Sequence, residues 1–204
     1  MGGEAPPAGA SIWLDNLPPW GYNPRGEKLC QGPRLRLLFT PGEIDRAIAG
    51  LAAQIDRDYG GEQPLLVGIL KGAFVFLADL MRRLSIPVEV DFVRVASYGP
   101  GMESSGQIRL VQRLSTPVRG RHVLLVEDIV DTGLSLSFLV DYLGRKRPAS
   151  LRLCALLDKP ERRVVPVTIH YLGLTVPDKF LVGYGLDWDE RYRNLPGIYV
   201  VEGD

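Results

Sequence analysis

Residues 122–143 read HVLLVEDIVDTGLSLSFLVDYL. His122 to Val126 is a short apolar run with the length of a buried strand, and Ser135 to Arg145 has the pattern of a helix. Between them stand Glu127, Asp128 and the turn Asp131-Thr132-Gly133-Leu134-Ser135. A strand apolar on both faces belongs in a parallel sheet covered on both sides. Ligands of such sheets bind beyond the carboxyl ends of the strands, where this turn lies. Thr132 to Ser135 offers backbone N–H groups, two hydroxyls and a helix N-terminus, a combination that suits phosphate. The two acids just before it would repel a phosphate standing alone. They fit a ligand that also carries hydroxyls, because carboxylates accept hydrogen bonds from a ribose and favour a divalent cation. A sugar phosphate with vicinal hydroxyls meets both demands. The plainer alternative makes Glu127 and Asp128 polar strand-end residues and Thr132 a helix cap. It must then treat three acids and a Thr-Gly-x-Ser turn behind one buried strand as coincidence.

Outward from this stretch the same alternation continues. Thr40-Pro41-Gly42-Glu43 is a helix start, with Thr as cap, Pro in the first turn and Glu at the third position. The helix that follows places Ile44, Ile48, Leu51, Ala52 and Ile55 on one face. Leu65–Leu70 reads as a buried strand, Ala73–Leu84 as a helix closed before Pro87, and Val88–Ala96 as a strand rich in Val. Leu151–Leu157 and Thr168–Leu172 supply further strands. The expected class is therefore α/β, with a mostly parallel central sheet flanked by helices. Residues 1–33 differ: Pro6, Pro7, Pro18, Pro19, Pro24 and Pro33 discourage regular structure. They read as an arm whose Trp13, Leu14, Leu17, Trp20 and Tyr22 could dock on the body or on a neighbouring subunit, or as a frayed tail. The division expected is thus an arm over 1–33 and a domain over 34–204.

The chain has 204 residues, 24 Lys+Arg against 24 Asp+Glu, and 2 Cys. That length suits one domain with a small appendage. Zero net charge argues against a general nucleic-acid binder, which needs a surplus of clustered cations. Cys30 and Cys154 are far apart, with no metal-ligand spacing around them, so neither a disulfide framework nor a zinc site is expected, and a reducing cytoplasm is. Residues 1–11 lack the basic and apolar regions of a secretory signal, and Lys71 and Asp79 interrupt the most apolar stretch. Neither a P-loop nor a dinucleotide fingerprint is present, since Gly183-Tyr184-Gly185 does not extend to G-x-G-x-x-G.

The segment VEDIVDTGLS, 126–135, resembles the phosphoribosyl-diphosphate (PRPP) signature of type I phosphoribosyltransferases, in the variant of the hypoxanthine-guanine branch. LKGAFVF at 70–76, VASYG at 95–99, LLDKPERR at 156–163 and VPDKFLVGYGLDWDERYRNLP at 176–196 agree with it in order and spacing, so the resemblance covers about residues 35–201. It implies the type I phosphoribosyltransferase fold with a small hood and a mobile lid loop. It implies transfer of the 5-phosphoribosyl group from PRPP to a 6-oxopurine, hypoxanthine or guanine, giving IMP or GMP and diphosphate with Mg2+. Glu127 and Asp128 would hold the ribose hydroxyls and, with Asp187, the metal. Ile129 and the turn Asp131, Thr132, Gly133, Leu134 and Ser135 would bind the 5′-phosphate end of PRPP. Leu134 departs from members that carry a longer polar residue there, leaving its backbone N–H as the contact. Asp131 would be the general base at purine N7.

The same resemblance places Leu70, Lys71 and Gly72, around a cis peptide, and Arg193 on the diphosphate. Lys159 would donate to the purine 6-oxo group, Phe180 would stack on the base, Leu181 would read the ring edge through its backbone, and Asp187 would lie beside it. Ser97 and Tyr98 would open the lid, for which Gly99 to Gly106, with three glycines and a proline, is suited; an ordinary surface hairpin is the alternative. Homodimers or homotetramers are the family habit. Two other readings share the scaffold: a xanthine-preferring transferase, and an RNA-binding regulator using Arg145-Lys146-Arg147 and Arg162-Arg163. Those basic stretches are short.

Overall fold

A computed structural model describes residues 33–98 and 107–202. The arm expected over 1–33 and the lid expected over 99–106 lie essentially outside the described residues. In chain order the elements are β1 (Arg34–Phe39), α1 (Pro41–Asp58), β2 (Leu65–Leu70), α2 (Phe74–Met81), β3 (Glu89–Tyr98), β4 (Gln107–Gln112), β5 (His122–Val130), α3 (Leu134–Gly144), β6 (Ser150–Asp158), β7 (Tyr171–Thr175), β8 (Leu181–Val182) and β9 (Ile198–Glu202). A six-stranded sheet has the order β4-β3-β2-β5-β6-β7, parallel throughout except for β4, which runs antiparallel to β3. A small second sheet, β1-β9-β8, is the hood. This is the α/β architecture expected from the sequence.

The sheet is buried on both faces at its centre because β2 and most of β5 and β6 carry apolar side chains on both sides. Leu66, Leu124, Val126, Cys154 and Leu156 point to one side, where Ile44, Ile48, Leu51 and Ile55 of α1 and Phe76, Leu77 and Leu80 of α2 cover them. Leu65, Val67, Ile69, Val123, Leu125 and Leu153 point to the other, under Leu136, Leu139 and Leu143 of α3. α1 starts with a reciprocal cap: Thr40 Oγ1 accepts from the Glu43 N–H, and the Glu43 carboxylate accepts from the Thr40 N–H at 2.8 Å. Cys154 is a free thiol pushed well up by burial, so it behaves as a small core hydrophobe. Among the described residues, no helix is long and apolar enough to cross a membrane.

Several boundaries differ from the sequence reading. β5 does not end at Val126; its ladder with β6 carries it through Glu127↔Ala155 and Ile129↔Leu157 to Val130↔Asp158. α2 is shorter at both ends than Ala73–Leu84. β7 starts three residues later than Thr168, because pairing of Cys154 with Tyr171 and Leu157 with Leu174 fixes its register. β3 runs on to Tyr98 because β4 pairs with it.

Strand order positions the site. From β2 the chain builds outward on one side through β3 and β4, and from β5 on the other through β6 and β7. The reversal between β2 and β5 leaves a crevice at their carboxyl ends. β2 stays paired with β5 only as far as Gly68↔Val126, so Glu127 and the residues after it have no strand on that side. Leu124→Ala, which removes a fully buried side chain between β2 and β6, should cost about 2–5 kcal/mol in urea unfolding.

Candidate active site

Three segments meet at the crevice. The first follows β2, where Leu70-Lys71 is a cis peptide. The second is the end of β5 and the turn into α3. The third is the irregular stretch 183–195, with positive φ at Gly183, Tyr184, Gly185, Asp189, Glu190 and Tyr192. Gly72 joins them. A Cβ there would lie 1.7 Å from Asp128 Oδ2, and one on Gly185 would lie 2.3 Å from the Gly72 carbonyl oxygen. Only residues without a side chain let the Gly72 backbone close on the Asp128 carboxylate and the Gly185 backbone close on Gly72.

Asp128 and Lys159 are the buried charged side chains among the described residues. Burial pushes the Asp128 carboxyl up to about 6, and nearby Asp187 adds to the rise; backbone N–H groups of Ile129 and Asp128 and the Arg193 guanidinium oppose it. Burial raises Glu127 well above the usual carboxylate range, with the Asp128 charge second. Its Oε2 is buried and has no hydrogen-bond partner among the described residues. Two adjacent carboxyls held this way are expensive to ionise in the absence of a ligand.

Beyond the acids, Thr132 O accepts from the Val164 and Val165 N–H groups at 3.0 and 3.1 Å, which pins the turn. Gly133 (φ 84°) leads into α3, whose N-terminus has no side-chain cap. The Leu134 N–H has only a long 3.4 Å contact to Thr132 Oγ1. The first amides of α3 are therefore open to an anion. Asp131, part-exposed, accepts from Arg162 Nε at 3.3 Å, and Arg162 also lies 3.9 Å from Asp178.

Cations face the acids from the other two segments. Arg193 donates to Gly185 O at 2.7 Å, and its Nη2 lies 2.8 Å from Asp187 and 3.2 Å from Glu190. Lys71 Nζ lies 2.8 Å from the other Glu190 oxygen. At the end of β6, Lys159 Nζ donates to Lys179 O at 2.9 Å and is 3.9 Å from Asp178. Phe180 is 49% exposed and meets Trp188 edge-to-face with ring centroids 6.1 Å apart. Leu181 is buried in β8 opposite Val200.

Most of the sequence-predicted site residues thus lie on linked segments: Leu70 to Gly72, Glu127 to Ser135, Asp187 and Arg193 around the crevice, and Lys159, Phe180 and Leu181 beside it. Ser97 and Tyr98 close β3, opposite Ile108 and Gln107 of β4. The sequence reading missed Glu190 and Trp188, and named Arg162 only as part of a basic stretch. Glu190 had a faint signal, an acid set among cations in a stretch already singled out.

Residues 40–189 match the phosphoribosyl transferase domain family. The hypoxanthine-guanine phosphoribosyltransferase of Aquifex aeolicus (strain VF5) is 50% identical over 176 residues, 86% of this chain and 99% of that one. The chain belongs to the phosphoribosyltransferase family, in its hypoxanthine-guanine branch. Another member of that branch, the hypoxanthine phosphoribosyltransferase of Salmonella typhimurium, is 44% identical over 80% of this chain and 93% of its own length. Among phosphoribosyltransferase crystal structures, a hypoxanthine-guanine enzyme from Bacillus anthracis superposes with a TM-score of 0.79 at 42% identity, covering 83% of this chain and 99% of that one.

The raised Asp128 carboxyl has a consequence for stability. Its folded-state value lies above its unfolded one, so the ionised form opposes folding fully above pH 6, and the penalty fades as pH falls toward 4. Asp128→Asn should therefore stabilise the ligand-free protein at pH 7.5 by about 1–3 kcal/mol, with the gain shrinking below pH 6 in thermal or urea unfolding.

Proposed function

We propose that the protein transfers the 5-phosphoribosyl group of PRPP to a 6-oxopurine, hypoxanthine or guanine, yielding IMP or GMP and diphosphate. The observation that carries this reading is the Glu127–Asp128 pair at the strand-order reversal, Asp128 buried and Glu127 with a buried carboxylate oxygen, followed within one turn by an uncapped helix N-terminus. Acids for vicinal hydroxyls and open amides for a phosphate are what a phosphorylated ribose requires. Family membership supports the same reading.

In this mechanism the α3 turn, Asp131 to Ser135, holds the 5′-phosphate, with Leu134 contributing its backbone N–H. Glu127 and Asp128 orient the ribose through its 2′- and 3′-hydroxyls. Lys71 and the backbone of Leu70 and Gly72, together with Arg193, take the diphosphate. The C1′–O bond to diphosphate breaks, the bonding electrons leave with the diphosphate, and purine N9 forms the new bond to C1′. Asp131 accepts the N7 proton, which lets the ring nitrogen supply its electron pair. Its carboxylate is held in place by Arg162.

Lys159 selects the base. An ammonium can only donate, so it pairs with a 6-oxo group and not with the 6-amino group of adenine. The Lys179 carbonyl fixes its direction. Phe180 offers an exposed ring face for stacking, and Asp187 and the Leu181 backbone border the ring edge.

Magnesium fits the donor set. Glu127 Oε2 is an unpartnered buried carboxylate oxygen, and Asp187 is close enough to Asp128 to raise it. Among the described residues no three metal-ligating side chains converge. One or two of Glu127, Asp128 and Asp187, with substrate oxygens and water, would then complete a magnesium shell. When bound, the ion would offset charge on the departing diphosphate.

The enzyme reading also accounts for the basic stretches better than an RNA-binding regulator does. Arg162 and Arg163 are paired with Asp131 and Asp158, and Lys146 lies over the Tyr142 ring. Asp131→Ala should lower turnover with hypoxanthine by about 10²–10⁴-fold. A PRPP-dependent assay across hypoxanthine, guanine, xanthine and adenine should give activity with the first two. Preference for xanthine, or salt-sensitive RNA binding without turnover, would overturn the assignment.

A homodimer or homotetramer belongs to the same reading. Beside Arg193, a cavity of about 610 Å³ is lined by Pro41, Ile44, Phe74, Val75, Leu195 and Pro196, with Phe74 46% exposed. Such an apolar face next to the site suits a second copy. Phe74→Glu should reduce the mass measured by light scattering to that of a smaller species.

A further inference from the structure

We propose that Glu190 is a built-in stand-in for diphosphate, occupying Lys71 and Arg193 while the site is empty and yielding them when the anion arrives. The inference rests on the reading of Lys71 and Arg193 as the diphosphate cations.

Glu190 sits at the tip of a tight turn. Trp188 and Arg191 exchange backbone hydrogen bonds at 3.2 and 3.1 Å, and the two residues between them, Asp189 and Glu190, both have positive φ, 52° and 63°. That is the geometry of a two-residue hairpin turn, which projects its central side chains away from the backbone ladder. The Glu190 N–H is anchored on Asp187 Oδ2 at 2.9 Å.

The carboxylate divides its oxygens between cations of two separate segments. Oε1 takes Lys71 Nζ at 2.8 Å, and Oε2 takes Arg193 Nη2 at 3.2 Å. One anionic group bridging these two donors reproduces what a diphosphate oxygen pair would do there. The pairing with Lys71, then with Arg193, holds the Glu190 carboxyl below its usual range. Yet its side chain is 60% exposed and that of Lys71 44% exposed, so the contacts exchange readily with solvent ions. A diphosphate brings more charge and more acceptor oxygens than one carboxylate, and wins the competition.

Two consequences follow. The cations are neutralised in the empty site, so a stray monovalent anion gains little there. The same carboxylate competes with product diphosphate and weakens its hold.

The test is calorimetric titration of inorganic diphosphate, with magnesium present, into the full-length protein, Glu190→Gln, Glu190→Ala and Lys71→Ala. Both Glu190 variants should bind diphosphate more tightly, by about two- to tenfold at low ionic strength, with the gain shrinking in high salt. The KM for PRPP should fall in parallel while the KM for the purine stays fixed. A purely structural role for Glu190 would weaken binding instead. If Lys71→Ala weakens diphosphate binding but neither Glu190 variant tightens it, the stand-in role is overturned and the diphosphate site stands. If Lys71→Ala leaves binding unchanged, the diphosphate site itself falls and the inference with it.

Discussion

The site depends on two neighbouring carboxyls, Asp128 buried and Glu127 with one buried oxygen, held at the point where β5 runs on and β2 has turned away. Ordinary cores do not hold Glu127 and Asp128 in this state, one with an unpartnered oxygen and one pushed up to about 6. The sheet holds them because β6 keeps pairing with β5 as far as Val130, so the backbone position is set by a ladder and not by the acids. Gly72 then closes over Asp128 without a side chain, and Gly185 closes over Gly72. The fold thereby maintains a local arrangement that is unfavourable until a ligand supplies hydroxyls or a cation, the usual trade between stability and function at a preorganised site.

Zero net charge, which argues against a general nucleic-acid binder, is a statement about the whole chain. The structure resolves it into local pairs. Lys71 and Arg193 share Glu190, Arg193 also meets Asp187, Arg162 meets Asp131, and Arg163 meets Asp158. The site's cations are thus balanced by acids a few ångströms away. Recognition of a highly charged metabolite then works by exchange of partners, without a surplus of positive charge.

Much of this was legible in the sequence, for identifiable reasons. α1 declared itself through a Thr-Pro-Gly-Glu cap and a strict apolar face, and β2 through a run apolar at every position. The turn after β5 was legible because phosphate chemistry needs small residues and hydroxyls at a helix start. What escaped depended on partners. The last residues of β5 are partly polar, so only β6 reveals that they are strand. β4 and β1 are edge strands with mixed burial, and β7 takes its register from β6. Glu190 drew no notice, and Arg162 drew it only as part of a basic stretch, because their meaning lies in contacts 119 and 31 residues away in sequence. Trp188 reads as any exposed aromatic until Phe180 is seen beside it.

The central claim is that the Glu127–Asp128 pair is held partly protonated in the empty protein and is ionised by its ligand. The most direct measurement is proton release on binding of magnesium and PRPP at pH 6, from calorimetry in buffers of different ionisation enthalpy, comparing the native chain with Glu127→Gln and Asp128→Asn. The native chain should release more protons than either variant, because its carboxyls give up protons that an amide does not carry. Equal proton release by all three proteins, with binding retained, would contradict it.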